Sequence, residues 1–160
     1  LAKGRKATDI VEEIVQPVCD AMGLILWDVR FEKEGSDWYL RVFIDKDNEG
    51  VYIDECVDLS RAVDPLLDEA DPIKQSYNFE VSSAGLGRKL TKPFHFEKKM
   101  GQVVLARYIR AVDGVKEVKG VLKAYNDGVI TIEREEDGMA VDVIVKDTSY
   151  VKLCDDEDLF

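Results

Sequence analysis

The cations able to grip an anion in this chain gather at one corner. Arg88 and Lys89 stand side by side behind Gly85 and Gly87, and Lys92 follows shortly after. A guanidinium fork beside ammonium groups suits phosphate oxygens. The two glycines free the backbone to turn and mark the corner as a hinge. Arg61 is the one cation in a helical stretch upstream, and it either pairs with a neighbouring acid or reaches a partner. Arg88 has a comparable intramolecular option in Glu80 or a helix acid.

The rest of the chain is acidic. The formal net charge is −11, and residues 1–83 hold 9 Lys/Arg against 19 Asp/Glu. Residues 84–101 hold 5 against 1, and residues 102–160 hold 8 against 13. A surface of this sign does not wrap nucleic acid, which needs clustered cations. It suits a basic protein partner, or one local phosphate contact at the corner.

Motifs for other chemistry are missing. Ser82-Ser83 is followed by Ala-Gly and is not G-x-S-x-G. Gly85-x-Gly87 lacks the third glycine and the strand-to-helix setting of a dinucleotide site, and there is no Walker loop. His95 stands without the partner that acid–base work requires, so it reads as a surface or packing residue. Asp45-Lys46-Asp47-Asn48-Glu49-Gly50 opens like a calcium loop, but Cys56 occupies the position where a bidentate Glu is needed. A strand-to-helix turn is the better reading there. Cys19, Cys56 and Cys154 lie far apart, with no C-x-x-C and a single His in the chain. They indicate reduced thiols in a cytoplasmic protein rather than a zinc site. These residues predict a non-enzyme with no cofactor and no metal. No apolar run approaches the roughly 18 residues of a spanning helix. The basic start, Leu1 to Lys6, lacks the apolar stretch of a signal peptide and reads as a frayed tail.

The elements that position the corner follow from periodicity. Apolar residues at helical spacing (Ile10, Val11, Ile14, Val15, Val18, Ala21, Met22) predict a first helix, capped by Thr8 or Asp9, kinked or weakened at Pro17 and ended by Gly23. Leu24 to Glu32 alternates, with Ile25, Trp27, Val29 and Phe31 on one face. Trp38 to Asp45 completes a hairpin. A second helix is predicted over about Ile53–Ala70, burying Ile53, Cys56, Val57, Val63, Leu66 and Leu67, with a kink or early break at Pro65. Tyr77 to Ser83 is the third strand.

That order, α-β-β-α-β, predicts an α+β protein whose N-terminal domain over residues 1–84 is a small sheet with two helices on one face. Residues 85–101 read as a basic linker with a short helical turn opened by Pro93. Over 102–154, five short strands with Asp-Gly turns, one bent at Gly120, predict a C-terminal barrel of the SH3 or Sm-like type. Residues 155–160 read as a solvated acidic tail.

Four stretches in this order carry a family resemblance: Ile14-Val15-Gln16-Pro17-Val18 with Gly23; Leu40-Arg41-Val42-Phe43-Ile44-Asp45-Lys46; Asp54-Glu55-Cys56-Val57-Asp58-Leu59-Ser60-Arg61; and Phe79-Glu80-Val81-Ser82-Ser83-Ala84-Gly85-Leu86-Gly87-Arg88-Lys89-Leu90. The chain resembles the bacterial ribosome maturation factor RimP family over nearly its full length. The resemblance implies an α/β N-terminal domain, an SH3- or Sm-like barrel, and a non-enzymatic role in late assembly of the small ribosomal subunit. It implies docking through the barrel on a ribosomal protein near the decoding region.

The chain departs from the family's usual corner, with Ala84 and Lys89 in place of prolines and Gly87 in place of Asp. That loosens the corner and adds positive charge. Tyr52 stands where the family often has a Ser or Thr helix cap. The leading expectation is a cytoplasmic, monomeric assembly factor for the small (30S) subunit. Arg88, Lys89, Arg61 and Lys92 would meet the ribosome or 16S rRNA, and Gly85 and Gly87 would act as hinge. A general Sm-like RNA-binding module is the alternative, and the excess of acids over 102–160 speaks against it. An unrecognised enzyme is the third.

Overall fold

The computed structural model describes residues 6–47 and 50–155. The outer parts of the two charged tails, and Asn48 and Glu49 of the acidic turn, lie outside the described residues. The chain is a mixed α+β protein in two compact units, Leu1–Ala84 and Gly85–Phe160.

In the first unit, α1 (Ala7–Met22) leads into β1 (Ile25–Glu34) and β2 (Asp37–Asp45), and α2 (Ile53–Ala70) leads to β3 (Asn78–Ser83). The sheet order is β1-β2-β3. β1 and β2 are antiparallel, whereas β2 and β3 are parallel and joined by α2 as a βαβ unit. The core lies where the helices meet one face of the sheet. Val11, Val15 and Cys19 of α1 and Leu59, Val63 and Leu67 of α2 join Val29, Leu40, Val42 and Ile44 there. Burial pushes the Cys19 thiol up to about 11, which keeps it a neutral packing group.

Several local expectations shift. α1 starts at Ala7 with Lys6 as its N-cap, so neither Thr8 nor Asp9 caps it, and Asp9 instead lies in the first turn, where the helix dipole favours an acid. Both helices run through their prolines, Pro17 and Pro65. Each proline removes one helical hydrogen bond, and the packed face on either side holds the helix together. A bulge between Leu26 and Asp28 slips the phase of β1 at Trp27. Leu24 and Leu26 therefore share the core with Val29, rather than facing away from it as simple alternation predicts. Of the residues expected to be buried on α2, Ile53 is 81% exposed, and Val57 and Leu66 lie about two-fifths open. Leu59 takes the core position instead.

The second unit carries α3 (Pro93–Lys98) and five strands: β4 (Val103–Val112), β5 (Val115–Asn126), β6 (Val129–Arg134), β7 (Ala140–Ile144) and β8 (Thr148–Leu153). A single 3₁₀ turn, Val145–Asp147, precedes β8. The ladder order is β7-β6-β5-β4-β8, antiparallel throughout. Among the described residues β7 and β8 do not pair, so the sheet is not a closed barrel. Residues 85–101 belong to this unit instead of spanning freely as a linker. Leu90, His95 and Phe96 are buried, and Phe96 stacks on Tyr125 of β5 with ring centroids 5.0 Å apart. His95 caps its own turn, because its Nδ1 accepts the N–H groups of Thr91 and Lys92 at 2.9 and 3.0 Å.

At Gly120 the backbone of β6 leaves no room for a side chain on β5. A Cβ there would lie 2.0 Å from the Glu133 carbonyl oxygen and 2.7 Å from its carbon. Both neighbours are backbone, so the strands themselves must part. Gly120→Ala is expected to destabilise the second unit by about 1–3 kcal/mol. Gly50→Ala, where nothing lies within 4 Å, serves as the neutral comparison. Amide hydrogen exchange across β5 and β6 reads the difference, since both tryptophans lie in the first unit.

Candidate functional site

The corner cations sit on a strand-like segment at the edge of the second sheet. Gly85 and Gly87 both have positive φ (77° and 65°), and the chain turns through them before running beside β8. The Leu90 N–H donates to the Val151 carbonyl at 2.7 Å, and the Leu153 N–H donates to the Arg88 carbonyl at 2.9 Å. Lys89 lies opposite Lys152 in an antiparallel bridge. β8 is thus paired on both sides, with β4 on one and residues 88–90 on the other.

This pairing decides where the side chains go. Leu90 is buried at 1% exposure, Lys89 is exposed, and Arg88 is half-buried, as strand alternation requires. The Arg88 Nε donates to the Gly85 carbonyl at 3.0 Å, which ties the guanidinium back across the turn. The Gly87 N–H donates to Asp155 at 2.7 Å, so the first acid of the tail is held at the corner. Lys89 lies over the Tyr150 ring, 5.7 Å from its centroid. Lys92 is the half-buried N-cap of α3.

Lys152 is the residue that sequence reasoning missed. The two hydrogen bonds flank the Lys89–Lys152 pair, which makes it a non-hydrogen-bonded pair, the kind in which side chains approach most closely. Like charges directly opposite cost stability. The bridge puts the two lysines on one face of the ladder. No local pattern could have revealed this, because the partner strand lies far along the chain.

Arg61 belongs to the first unit. It is exposed on α2 and makes no ion pair or hydrogen bond among the described residues. It borders a groove of about 490 Å³ between α2 and β3, lined chiefly by Val51, Ile53, Val57, Ser60 and Val81. Glu55 holds the start of α2 in place of a Ser or Thr cap. Its carboxylate accepts the Tyr52 N–H at 2.9 Å and meets Lys46 at 2.7 Å.

The sheet face away from the helices carries a second feature that was not anticipated. Arg41 donates to Glu32, Glu34 and Glu80 at 2.7, 2.6 and 3.0 Å and lies over the Tyr39 ring at 4.5 Å. Glu80, one intramolecular partner expected for Arg88, is thus engaged by Arg41. Three carboxylates around one guanidinium leave this face net negative.

Among the described residues, no group of three or more His, Cys, Asp or Glu could hold a metal, and no helix is long and apolar enough to cross a membrane. Residues 14–87 match the family model described as the RimP N-terminal domain. This match to residues in the first unit supports the RimP family. That family is one of ribosome maturation factors. The RimP match covers α2 with Arg61 and ends at Gly87, one residue short of Arg88.

Two predictions test these geometries. The Arg41 hydrogen bond holds the Glu34 carboxyl below the usual carboxylate range. A depressed folded pKa contributes stability above the ordinary value, and this is lost as pH falls through the lowered one. Carboxyl NMR titration should show Glu34 returning to the ordinary range in Arg41→Met. Lys152→Glu turns a like-charged pair into an opposite one and is expected to raise stability by about 0.2–1 kcal/mol in urea unfolding.

Proposed function

We propose that this protein is a non-enzymatic assembly factor that binds the immature small ribosomal subunit and assists its maturation. The observation that carries the reading is the RimP N-terminal domain over residues 14–87. The ribosome is an RNA-rich partner, and the acidic chain offers it one cationic corner.

In this reading Lys89 and Lys152 share a phosphate of 16S rRNA, with Arg88, Lys92 and Arg61 as further contacts. The exposure of Lys89 and its placement opposite a second lysine support that role. Gly85 and Gly87 act as the hinge between the two units. The acidic faces meet basic ribosomal proteins near the decoding region, which orients and speeds docking. We read the second unit as a small barrel of the SH3 or Sm-like type that remains partly open. The strand order, the close approach at Gly120 and the 3₁₀ turn before the last strand support this. The protein works as a cytoplasmic monomer.

Co-sedimentation with small subunits on sucrose gradients, at stepped salt, tests the proposal. The wild-type protein should travel with small subunits and be released as salt rises. Replacing Arg88, Lys89 and Lys152 together by Gln should lower the slope of log affinity against log salt by roughly 2–3. An unchanged slope would remove the corner from the contact. Failure of the wild-type protein to sediment with small subunits at low salt would overturn the assignment. Tight binding to naked RNA oligomers at the same salt would favour the general RNA-binding module.

A further inference from the structure

We propose that the groove between α2 and β3 takes an extended, basic segment of a protein partner, which adds to β3 as a fourth strand. The inference deepens the assembly-factor reading by naming the chemistry of a protein partner, and it uses a surface different from the cationic corner.

Among the described residues nothing pairs with the outer edge of β3. The Ala84 N–H reaches the Ile44 carbonyl at 2.9 Å, on the β2 side. Alternation therefore turns the N–H and C=O groups of Phe79, Val81 and Ser83 outward. An exposed row of this kind is a template for another strand. In many proteins such an edge is blunted by charge, proline or a covering loop. Here Val81 and Ser83 present small side chains beside it.

The groove sorts the side chains of an incoming strand. Residues on the helix side would enter the apolar space lined by Val81, Val57 and Ile53. Ile53, at 81% exposed, is the largest hydrophobic opening on α2. Burying it would gain about 25 cal/mol for each Å² of apolar surface removed from water. Residues at the alternate positions would face the opposite side, next to Glu80. There the Arg41 cluster holds three carboxylates against one guanidinium. On the α2 side the charged residue that lines the groove is Arg61, so the acidic flank is that of the sheet face alone. The carboxylates beside Glu80 select cations on the sheet face, and the groove selects apolar residues. The occupant is therefore a strand that alternates apolar and basic side chains. An acidic strand does not suit the carboxylates beside Glu80, and a uniformly polar one does not suit the apolar groove.

The test uses the full-length protein and a short fluorescent peptide alternating valine and lysine. One comparison peptide alternates valine with glutamate. Another has the same composition as the first, with the valines and lysines in separate blocks. Anisotropy should show binding of the alternating lysine peptide alone, with slowed hydrogen exchange at the amides of Phe79, Val81 and Ser83. Ser83→Pro removes one outward donor and Val57→Glu places a charge in the groove. Each should weaken binding about fivefold to tenfold, with the urea midpoint as the check on folding. Equal binding of the block peptide, or unchanged binding by both variants, would overturn the proposal by leaving only diffuse charge attraction. Small-subunit co-sedimentation is read in parallel. If it persists while the peptide fails to bind, strand addition is lost and the assembly-factor reading stands. If the peptide binds and sedimentation fails, the reverse holds.

Discussion

A backbone N–H or C=O at the rim of a sheet must find a partner, whether in the chain, in water or in another molecule, and this constraint organises both units. In the second unit the outer rim of β8 is met by residues 88–90 of the same chain. That is why a segment rich in cations and glycine, which could have been a loose connection, has a fixed course. The pairing places Leu90 inward, turns Lys89 outward and sets it against Lys152. The positive corner is thus a consequence of edge pairing, with the charges carried on a strand whose path the backbone dictates.

Electrostatics then acts on top of that path. An acidic chain spreads its carboxylates over helix and sheet faces, where water solvates them at little cost. Two lysines held opposite each other are a small liability in the free protein. The liability is removed when an anion lies between them, so the arrangement favours the bound state over the free one without any conformational change. The cluster around Arg41 follows the opposite logic. Three carboxylates satisfy one guanidinium inside the protein, and the excess negative charge is left for a partner of the other sign. The two surfaces thus discriminate by charge sign, which favours orientation more than affinity.

The sequence made the elements and their hairpins legible and left the longer-range pairing hidden. Among the described residues, the three helices and the eight strands arise from patterns visible along the chain, because local periodicity reports which faces must be buried. The exceptions have particular causes. The β1 bulge at Trp27 inserts a residue, and a period-two pattern cannot show an inserted residue. On α2, Ile53 and Val57 have helical spacing like that of Leu59 and Val63. A three-stranded sheet, however, covers only part of the helix, and the uncovered part forms the groove wall. Pro17 suggested a kinked or weakened helix and Pro65 a kink or early break, and both helices continue through these positions. The local cluster of cations at the corner singled out Arg88 and Lys89. Lys152 carries no motif, and its place beside Lys89 depends on a strand pairing that no local reading supplies.

The two rims also explain why Ile53 and Val57 on α2 remain open while Leu90 and Phe96 of the second unit do not. Leu90 and Phe96 are drawn into the second unit because the segment that carries them is tied to β8 and stacked on β5. No comparable segment follows β3 within the first unit, since that unit ends at Ala84. The backbone of β3 and the side chains of Ile53 and Val57 are therefore left uncovered together, within one groove. An uncovered strand edge and an uncovered apolar patch each carry a cost in water when separate. Side by side, they can be relieved by one extended ligand that supplies a hydrogen-bonding backbone and alternate apolar side chains at once. This coincidence of two unmet needs, rather than the size of the groove, gives the surface its specificity for an extended strand over a helix or a small molecule.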